Sequence, residues 1–181
     1  MGGPVYEPDP QLVRAARDGD LGAFEELVRG SQADVWRLCF HLLGDRDLAE
    51  DVAQDAFVRA YRFLKRYRGD SKFSTWLFSI VRNCCLDELR RLSRQRNVVE
   101  AVRAEPARAT HETAVRVEVS DALAELPVEL REPVVLIDMF GESYKQAARI
   151  LGVPEGTVKS RVHRARALLL SSLGAEVADE N

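Results

Sequence analysis

The sequence predicts an all-α protein made of two small helical domains joined by a flexible linker. Apolar residues recur at intervals of three and four along most of the chain, as on a helix with one buried face, and no comparable run alternates with the period of two that marks a strand. With 181 residues and 46% hydrophobic content, the chain is long enough to build the cores of one ordinary domain or two small ones.

The first half of the chain contains several helical segments. Residues 11–30 and 32–43 are predicted to form two helices, with breaks at the Gly-Asp pairs of residues 19–20 and 44–45. The spacing predicts further helices over residues 48–64 and 75–92. Their candidate core positions are Ala49, Val52, Ala53, Ala56, Phe57, Ala60, Tyr61, Leu64, Leu77, Ile80, Val81, Cys84 and Leu89.

A change in composition divides the chain. Between Asn97 and Ser120 there are no aromatic residues, charges of both signs and one proline, which indicates a linker rather than a core. If this segment is flexible, its roughly 24 residues reach on the order of 25 to 30 Å. The predicted domains are therefore residues 10–96 and 121–173, on either side of a linker at 97–120.

The second domain carries the signals of a helix-turn-helix motif. Ser143 is placed to cap a short helix, YKQAARIL, and Gly152 suits the end of that helix. Pro154 suits the first turn of the next helix, because the N–H that proline lacks would be unpaired there. Two helices joined by a turn of this length are typical of the motif. Pro133, in the apolar run before it, should kink or restart its helix.

The second helix of the motif, within GVPEGTVKSRVHRAR, has two contrasting faces. Val158, Val162 and Ala165 fall with Leu169 in one narrow stripe, which predicts a buried face. The other face has a small centre and cationic edges, which favours close approach to a major groove over the alternative, a basic and merely solvated helix. This face contains Gly156, Thr157, Lys159, Ser160, His163 and Arg164, flanked by Arg161 and Arg166.

Charge is strongly segregated along the chain, although the net charge is only −3. Residues 56–96 carry a net +8 and residues 145–166 a net +5, whereas residues 1–55 carry −7 and residues 121–144 carry −5. Two basic islands among acidic surroundings can contact phosphates at two places, while the acidic remainder weakens long-range attraction to DNA. We therefore expect weak DNA binding by the protein alone.

The basic island at residues 56–96 mixes aromatic and cationic side chains. This mixture suits single-stranded DNA, whose unpaired bases can stack on rings or enter a pocket. Trp76 and Phe78 are better explained as core residues, because large aromatic side chains dominate small helical cores. The turn-rich loop RGDSKFST, residues 68–75, is the stronger candidate for capturing a base.

Acidic residues cluster on the helix that begins this region. Asp47, Asp51 and Asp55 share one helical face at steps of four, where their like charges repel mildly. A basic protein surface is the preferred partner for this face, and simple solvation is the alternative. A calcium loop is excluded, because Ala49 stands where a ligand is needed and no glycine occupies the sixth position.

The sequence gives no indication of a metal, a cofactor or a membrane span. Its three histidines match no zinc spacing, and Cys84 and Cys85 would point about 100° apart on a helix, so these two and Cys39 are expected to be buried and reduced. No apolar run approaches the roughly 18 residues of a membrane span, and the N-terminus lacks a signal core. We expect a cytoplasmic protein without metal or cofactor.

Two segments together resemble the extracytoplasmic-function (ECF) group of bacterial sigma factors. Region 2 of these proteins is similar to DLAEDVAQDAFVRAYRFLKRYRGDSKFSTWLFSIVRNCCLDELRR, and region 4 is similar to LAELPVELREPVVLIDMFGESYKQAARILGVPEGTVKSRVHRARALL. The resemblance covers about residues 10–172. It implies a region 2-like helical bundle and a region 4-like helix-turn-helix, in a factor that binds core RNA polymerase, directs it to promoters and helps open the duplex.

The resemblance also implies roles for individual residues. The family's acidic positions that dock on core polymerase correspond to Asp51, Gln54 and Asp55. The positions that read the −10 element as a separated strand correspond to the loop Arg68–Thr75, including Lys72 and Phe73, with Asn83 and Asp87. The positions over the duplex −35 element correspond to Lys159, Ser160, Arg161, His163 and Arg164. To these surfaces we add Arg90 and Arg91 for the −10 element and Thr157 for the −35 element.

Two features of this implied assignment concern partners. Asp87 is a carboxylate where a polar amide also occurs in the family, and a carboxylate can accept a cytosine amino proton, so promoter preference is expected to differ. The family usually has a cognate anti-sigma protein, which is therefore an expected partner in addition to core polymerase and promoter DNA.

Two other classes of function fit parts of the sequence. A stand-alone helix-turn-helix regulator would bind duplex DNA tightly by itself, usually as a dimer on paired half-sites, and would not need residues 45–96. A carboxylate-dependent nucleic-acid enzyme is disfavoured, because no acid, base or nucleophile cluster with supporting ligands is recognisable. The sequence therefore favours a sigma factor that is not an enzyme and leaves the chemistry to the polymerase.

Overall fold

In the part of the chain that the structure describes, the first half is a bundle of four α-helices and the second half adds four more. A computed structural model of the protein describes residues 5–100 and 121–177, with side chains described within 5–95 and 121–172. Every regular element in these ranges is helical, which confirms the all-α prediction. The helices are α1 (Pro10–Arg17), α2 (Leu21–Leu43), α3 (Arg46–Phe63), α4 (Phe73–Glu100), α5 (121–125), α6 (Val128–Val134), α7 (Tyr144–Leu151) and α8 (Glu155–Val177).

The second helix differs from the sequence-based prediction. The break predicted between residues 30 and 32 is wrong, because α2 runs from Leu21 to Leu43 without interruption. Gly30 lies inside this helix, where the ring of Tyr6 covers the space that a Cβ would occupy. The glycine therefore reflects packing against the N-terminal segment rather than a turn.

The fourth helix is longer than predicted at both ends. It begins at Phe73 rather than Thr75 and continues through Glu100, so it extends into the predicted linker at 97–120. The rest of that linker, residues 101–120, lies outside the described residues. The composition change at residue 97 therefore does not coincide with the end of a helix.

The helix-turn-helix motif is present as predicted. The Ser143 hydroxyl oxygen accepts a hydrogen bond from the Gln146 N–H (3.2 Å), and the Gln146 side chain accepts one from the Ser143 N–H (2.9 Å). The two residues form a capping box at the start of α7. Gly152 ends α7 with a left-handed φ of 66°, and Pro154 precedes α8 by one residue.

Pro133 is accommodated within a helix, although it lacks the N–H of the other residues. It lies inside α6, which ends at Val134, and a π-helical turn follows at Val135–Met139. The predicted kink or restart at Pro133 stays a prediction.

The two halves of the chain pack against each other across α4. Phe78 of α4 meets Phe140 edge to face, with 5.2 Å between the ring centroids. Beside them, Arg82 donates hydrogen bonds of 2.8 and 3.1 Å to the Glu132 carboxylate, and Glu132 is only 2% exposed. Burial raises the pKa of Glu132, and the charge of Arg82 opposes that rise. Removing Arg82 alone would leave a carboxylate buried without its partner.

Arg131 forms a second polar contact between the two halves of the chain. Its guanidinium donates to the carbonyl of Leu42, in the last turn of α2, at 2.7 Å, and also to the carbonyls of Ala124 and Leu126. Arg131 is buried, and burial lowers its pKa. Arg131, from the second half of the chain, therefore places a positive charge at the C-terminal end of α2. A positive charge there complements the helix dipole.

Ser143→Ala should lower the free energy of unfolding by about 1 kcal/mol, because it removes the side-chain acceptor that caps α7. Urea denaturation followed by circular dichroism measures this change. Ser171→Ala is the control, since the exposed Ser171 donates to the Ala167 carbonyl within α8, and its loss should change the free energy by less than about 0.5 kcal/mol. Equal losses in the two variants would contradict the capping role.

Candidate nucleic-acid interface

The first turns of α8 present a polar face to solvent. The opposite face is buried, because Val158, Val162 and Ala165 each have at most 1% of their surface exposed. This arrangement confirms the predicted buried stripe at these three positions, while its fourth member, Leu169, is half-buried against the core. On the outer face, Thr157 and Arg161 are half-buried, and the exposed residues are Gly156, Lys159, Ser160, His163 and Arg164.

Some of the cations on α8 are already paired. Lys159 lies 3.0 Å from Glu155, one turn earlier, and Arg166 pairs with Asp138, with 3.0 Å between Nε and Oδ2. Arg164 is exposed, and no acidic side chain of the described residues lies within ion-pair distance of it. Arg164 is therefore the cation of this face that is most available to an external partner.

An open cleft of about 400 Å³ borders the same face. Its lining combines residues at the start of α6 with Ser160, Arg161 and Arg164 of α8. Burial raises the pKa of Glu132, and the positive charges of Arg82 and Arg161 both oppose that rise. Arg161 therefore lies near the contact between the two halves, whereas Arg164 faces outward.

The loop at residues 68–75 is built over a cluster of aromatic rings. The ring centroid of Tyr67 lies 5.1 Å from that of Trp76 and 6.0 Å from that of Phe73. The Tyr67 hydroxyl donates to the Ser71 carbonyl at 2.6 Å, and burial raises the pKa of Tyr67. Trp76 is half-buried in this cluster and Phe78 is buried, which confirms that both contribute to the core.

The predicted −10 residues differ in exposure. Phe73 and Thr75 are 4% and 3% exposed, so in this conformation they support the loop instead of facing solvent. The Thr75 hydroxyl has no hydrogen-bond partner among the described residues. Their contact with DNA stays a prediction. The exposed members of the set are Arg68, Lys72, Asn83, Asp87, Arg90 and Arg91.

Asp87 is held by two arginines. Arg59 lies 2.9 Å from the Asp87 carboxylate and 3.2 Å from Asp55, and Arg90 lies 3.4 Å from Asp87. The hydrogen bond to Asp87 raises the pKa of Arg59. One guanidinium therefore joins the acidic face of α3 to the candidate −10 surface. Sequence analysis missed this link, because Arg59 and Asp87 are 28 residues apart and meet only through the packing of α3 on α4.

The acidic face of α3 is exposed, as predicted. Asp47, Asp51, Gln54 and Asp55 all face solvent. Asp55 is paired with Arg59, whereas Asp51 forms no ion pair with another described residue. Asp51 and Gln54 are therefore the members of the face most open to a basic partner.

The cysteines are buried and free, as predicted for Cys39, Cys84 and Cys85. Burial raises the pKa of Cys84 to about 11, and a hydrogen bond with Cys39 raises that of Cys85. Protonated, buried thiols are poor nucleophiles. Residues 5–100 and 121–177 hold no group of acidic, histidine or cysteine side chains arranged for a metal ion, and none of their helices meets the length and apolarity of a membrane span.

The contact between the two halves was not predicted from the sequence. Arg82 and Arg149 belong to the two basic islands, yet Arg82 pairs with Glu132 and Arg149 donates to the Asp70 carbonyl in the loop at 3.0 Å. The signal was present in the charge pattern, since residues 56–96 carry +8 and residues 121–144 carry −5. Complementary charges of that size favour association of the two segments.

Comparison with known proteins gives the family. Residues 27–95 match the family model of Sigma-70 region 2, and residues 116–169 match that of Sigma-70, region 4. The ECF RNA polymerase sigma factor SigM of Mycobacterium tuberculosis is 40% identical to the chain over 174 residues, which cover 96% of the chain and 89% of SigM.

Solved structures share the fold. CnrH, solved in complex with the cytosolic domain of CnrY, is 29% identical with a TM-score of 0.72, over 91% of this chain and 96% of CnrH. The sigma factor RpoE of Bartonella quintana, solved with the anti-sigma factor NepR, is 30% identical with a TM-score of 0.72, over 83% and 96% of the two chains. The chain therefore belongs to the extracytoplasmic-function sigma factors, and its function is to direct RNA polymerase to promoters.

Proposed function

We propose that this sigma factor reads the −35 and −10 elements with two separate surfaces, α8 for the duplex and α4 with its preceding loop for the separated strand. The supporting observation is the two-faced α8, whose exposed residues lie opposite a buried apolar stripe. Gly156 and Ser160 at the centre of the exposed face allow the helix to approach base edges closely. Lys159 and Arg164 at its margins can then reach bases and phosphates.

Arg164→Ala should weaken recognition of the −35 element by about 1 to 3 kcal/mol, because an arginine that contacts a base edge contributes about that much. Run-off transcription from templates with a selected or a substituted −35 element measures the loss. Arg166→Ala is the matched control, since Arg166 lies on the same helix but pairs with Asp138. An equal loss on both templates, or an equal loss in the control, would contradict base reading by Arg164.

The separated −10 strand is assigned to the exposed side of α4 and its loop. Asn83 and Asp87 lie one turn apart on α4 and can present hydrogen-bonding groups to unpaired bases. A carboxylate offers about four lone-pair positions, so Asp87 keeps acceptor capacity for a cytosine amino group while it pairs with Arg59 and Arg90. Phe73 and Thr75 are proposed to support the loop from its buried side. The phosphate contacts are assigned to Arg68, Lys72, Arg90 and Arg91.

Core polymerase is assigned to the acidic face of α3. Its exposed carboxylates and Gln54 lie on one side of the helix, away from the buried positions Val52, Ala53 and Ala56. Asp51 and Gln54 offer unpaired groups to a basic partner, and Asp55 contributes together with Arg59. This proposal agrees with the docking positions that the family resemblance implies.

Asp51→Arg should reduce affinity for core polymerase by at least about tenfold, because it places a cation opposite a basic surface. Titration of fluorescently labelled protein with core polymerase measures the affinity. Asp18→Arg, which makes the same charge change in the exposed turn between α1 and α2, should bind normally. Asp55→Arg should also weaken binding. It is a less specific test than Asp51→Arg, because it also removes the Asp55–Arg59 ion pair and Arg59 pairs in turn with Asp87. Unchanged affinity of Asp51→Arg would reject the docking face.

The packed arrangement of the two halves is too small to reach both promoter elements. Elements centred at −35 and −10 lie about 25 base pairs apart, or about 85 Å of duplex. A compact chain of this length has a radius of gyration of about 16 Å and a diameter of about 40 Å. Residues 101–120 extend to at most about 70 Å. We therefore propose that α5–α8 separate from α4 on the promoter, with the segment between α4 and α5 as the connection.

Arg82→Met should expand the free protein at pH 7, because Glu132 would otherwise stay buried without its partner. Small-angle X-ray scattering should show a larger radius of gyration than for the wild type. An unchanged radius in this variant would contradict the role of the ion pair in holding the halves together.

Two further measurements separate this effect from general damage. The double variant Arg82→Met/Glu132→Leu removes both charges and should return to the wild-type radius. Burial raises the pKa of Glu132, so the packed arrangement favours the protonated carboxyl. Lowering the pH from 7 toward 5 should therefore reverse the expansion of Arg82→Met, whereas raising the pH should maintain it.

An anti-sigma protein is a further proposed partner. The support is the likeness to RpoE, solved with the anti-sigma factor NepR, over 83% of this chain, and to CnrH, solved with the cytosolic domain of CnrY, over 91%. We place the protein in the cytoplasm, with core polymerase and promoter DNA, and assign it no catalytic step of its own. Its curated relatives are likewise sigma factors.

Run-off transcription with bacterial core polymerase and a library of promoters tests the proposed function. Specific initiation that depends on the added protein is the expected result. Tight binding to duplex DNA without polymerase, combined with no specific initiation, would contradict it and would instead indicate a stand-alone regulator.

A further inference from the structure

The segment before α1, residues 5–9, lies across the first bundle and is called the N-terminal strap here. The Tyr6 N–H donates to Asp34 of α2 at 2.8 Å, and Pro8 is buried. The Tyr6 ring covers Gly30 of α2, where an added Cβ would overlap the ring. The strap therefore packs on α2 at Gly30, where a larger side chain would overlap the Tyr6 ring.

Beyond this seat, Glu7 reaches the start of α4. Its carboxylate oxygens accept hydrogen bonds from the Phe73 N–H (2.7 Å) and the Ser74 N–H (3.3 Å). The first N–H groups of a helix have no partner within the helix, and the helix dipole favours a negative charge beside them. Lys72, which precedes the helix, has no side-chain acceptor to offer. The cap of α4 is thus supplied from 66 residues away.

The capped turn is also the end of the candidate −10 loop. Tyr67 supports the loop because its hydroxyl donates a hydrogen bond to the Ser71 carbonyl. Glu7 fixes the other end by holding the N–H groups of Phe73 and Ser74, and it contributes, after burial, to the raised pKa of Tyr67. The direction in which the loop enters α4 therefore depends on the carboxylate of Glu7.

We propose that the N-terminal strap is a positioning element for −10 recognition, in which Glu7 holds the loop at residues 68–75 in the geometry that admits a separated base. This inference rests on the proposed function of that loop. Glu7 acts through Phe73 and Ser74 and is a positioning residue. A cap that served stability alone would alter the unfolding midpoint, whereas a positioning cap also alters which bases the loop accepts.

The experiment uses the full chain, bacterial core polymerase and a promoter that the wild type selects from a library. Two template sets are then transcribed, one varied at the −10 element and the other at the −35 element. Glu7→Ala removes the cap of α4. Asp9→Ala is the matched control, because Asp9 belongs to the same strap and caps α1 by accepting from the Gln11 N–H at 2.6 Å. Thermal unfolding of each variant is recorded by circular dichroism.

Glu7→Ala is expected to lower initiation from the selected promoter by roughly fivefold to tenfold, the effect of losing one helix cap. It should also flatten the base preference at the −10 element while leaving the preference at the −35 element unchanged. Asp9→Ala should lower the unfolding midpoint but keep both preferences. Glu7→Gln, which keeps an acceptor oxygen without the charge, should fall between Glu7→Ala and the wild type.

A folded Glu7→Ala variant with the wild-type −10 preference would overturn the inference. If Glu7→Ala does not fold, Gly30→Ala decides, because it leaves Glu7 and the loop intact while obstructing the seat of Tyr6. Alanine favours the helix over glycine, so a stable Gly30→Ala variant with a flattened −10 preference supports the inference, and one with the wild-type preference overturns it.

These outcomes are distinct from a failure of the proposed function. If the wild type initiates specifically and Glu7→Ala keeps its −10 preference, the inference alone is wrong. If the wild type initiates from no template, the function is wrong and the inference falls with it.

Discussion

The buried pair of Arg82 and Glu132 is the interaction on which the arrangement of the two halves depends. An isolated carboxylate would not remain ionised in that position, and an isolated arginine on α4 would remain in solvent. Each charge is accommodated only when the other half of the chain supplies its partner. Apolar side chains surround the pair, namely Leu38, Leu42, Leu136, Ile150 and Leu151. The protein thus joins its two domains through a contact that combines apolar area with one ion pair.

The sides of the fourth helix, α4, face different surroundings. Its core side packs on α2 and α3 through Leu77, Val81 and Cys85. The side with Phe78 and Arg82 contacts the second half, while the side with Asn83 and Asp87 remains open to solvent. Successive residues of a helix point about 100° apart, so neighbours such as Arg82 and Asn83 serve different partners. Under the proposed function, α4 therefore contributes to the core, to the contact between the two halves and to recognition of the −10 element.

Sequence reasoning predicted the parts of the fold that depend on local rules. The capping box of Ser143, the left-handed Gly152 and the buried stripe of α8 follow from spacing and backbone chemistry within a few residues. It failed at Gly30, which lies inside α2 under the ring of Tyr6, and it did not find the links from Glu7 to Phe73, from Arg59 to Asp87 or from Arg82 to Glu132. Those features depend on how distant helices pack, which no local pattern encodes. The burial of Phe73 and Thr75 was missed for the same reason.

The contact through Arg131 has a thermodynamic consequence for promoter binding. When the halves part, the last turn of α2 loses the cation that Arg131 supplies to Leu42, and apolar surface around Phe140 becomes hydrated. A partner that binds only the extended state must supply the free energy of that change, so its apparent affinity equals its intrinsic affinity multiplied by the fraction of molecules that are extended. The weak DNA binding expected of the free factor would then reflect this conformational equilibrium as well as net charge. Polymerase would act, in this view, as the ligand that shifts the population.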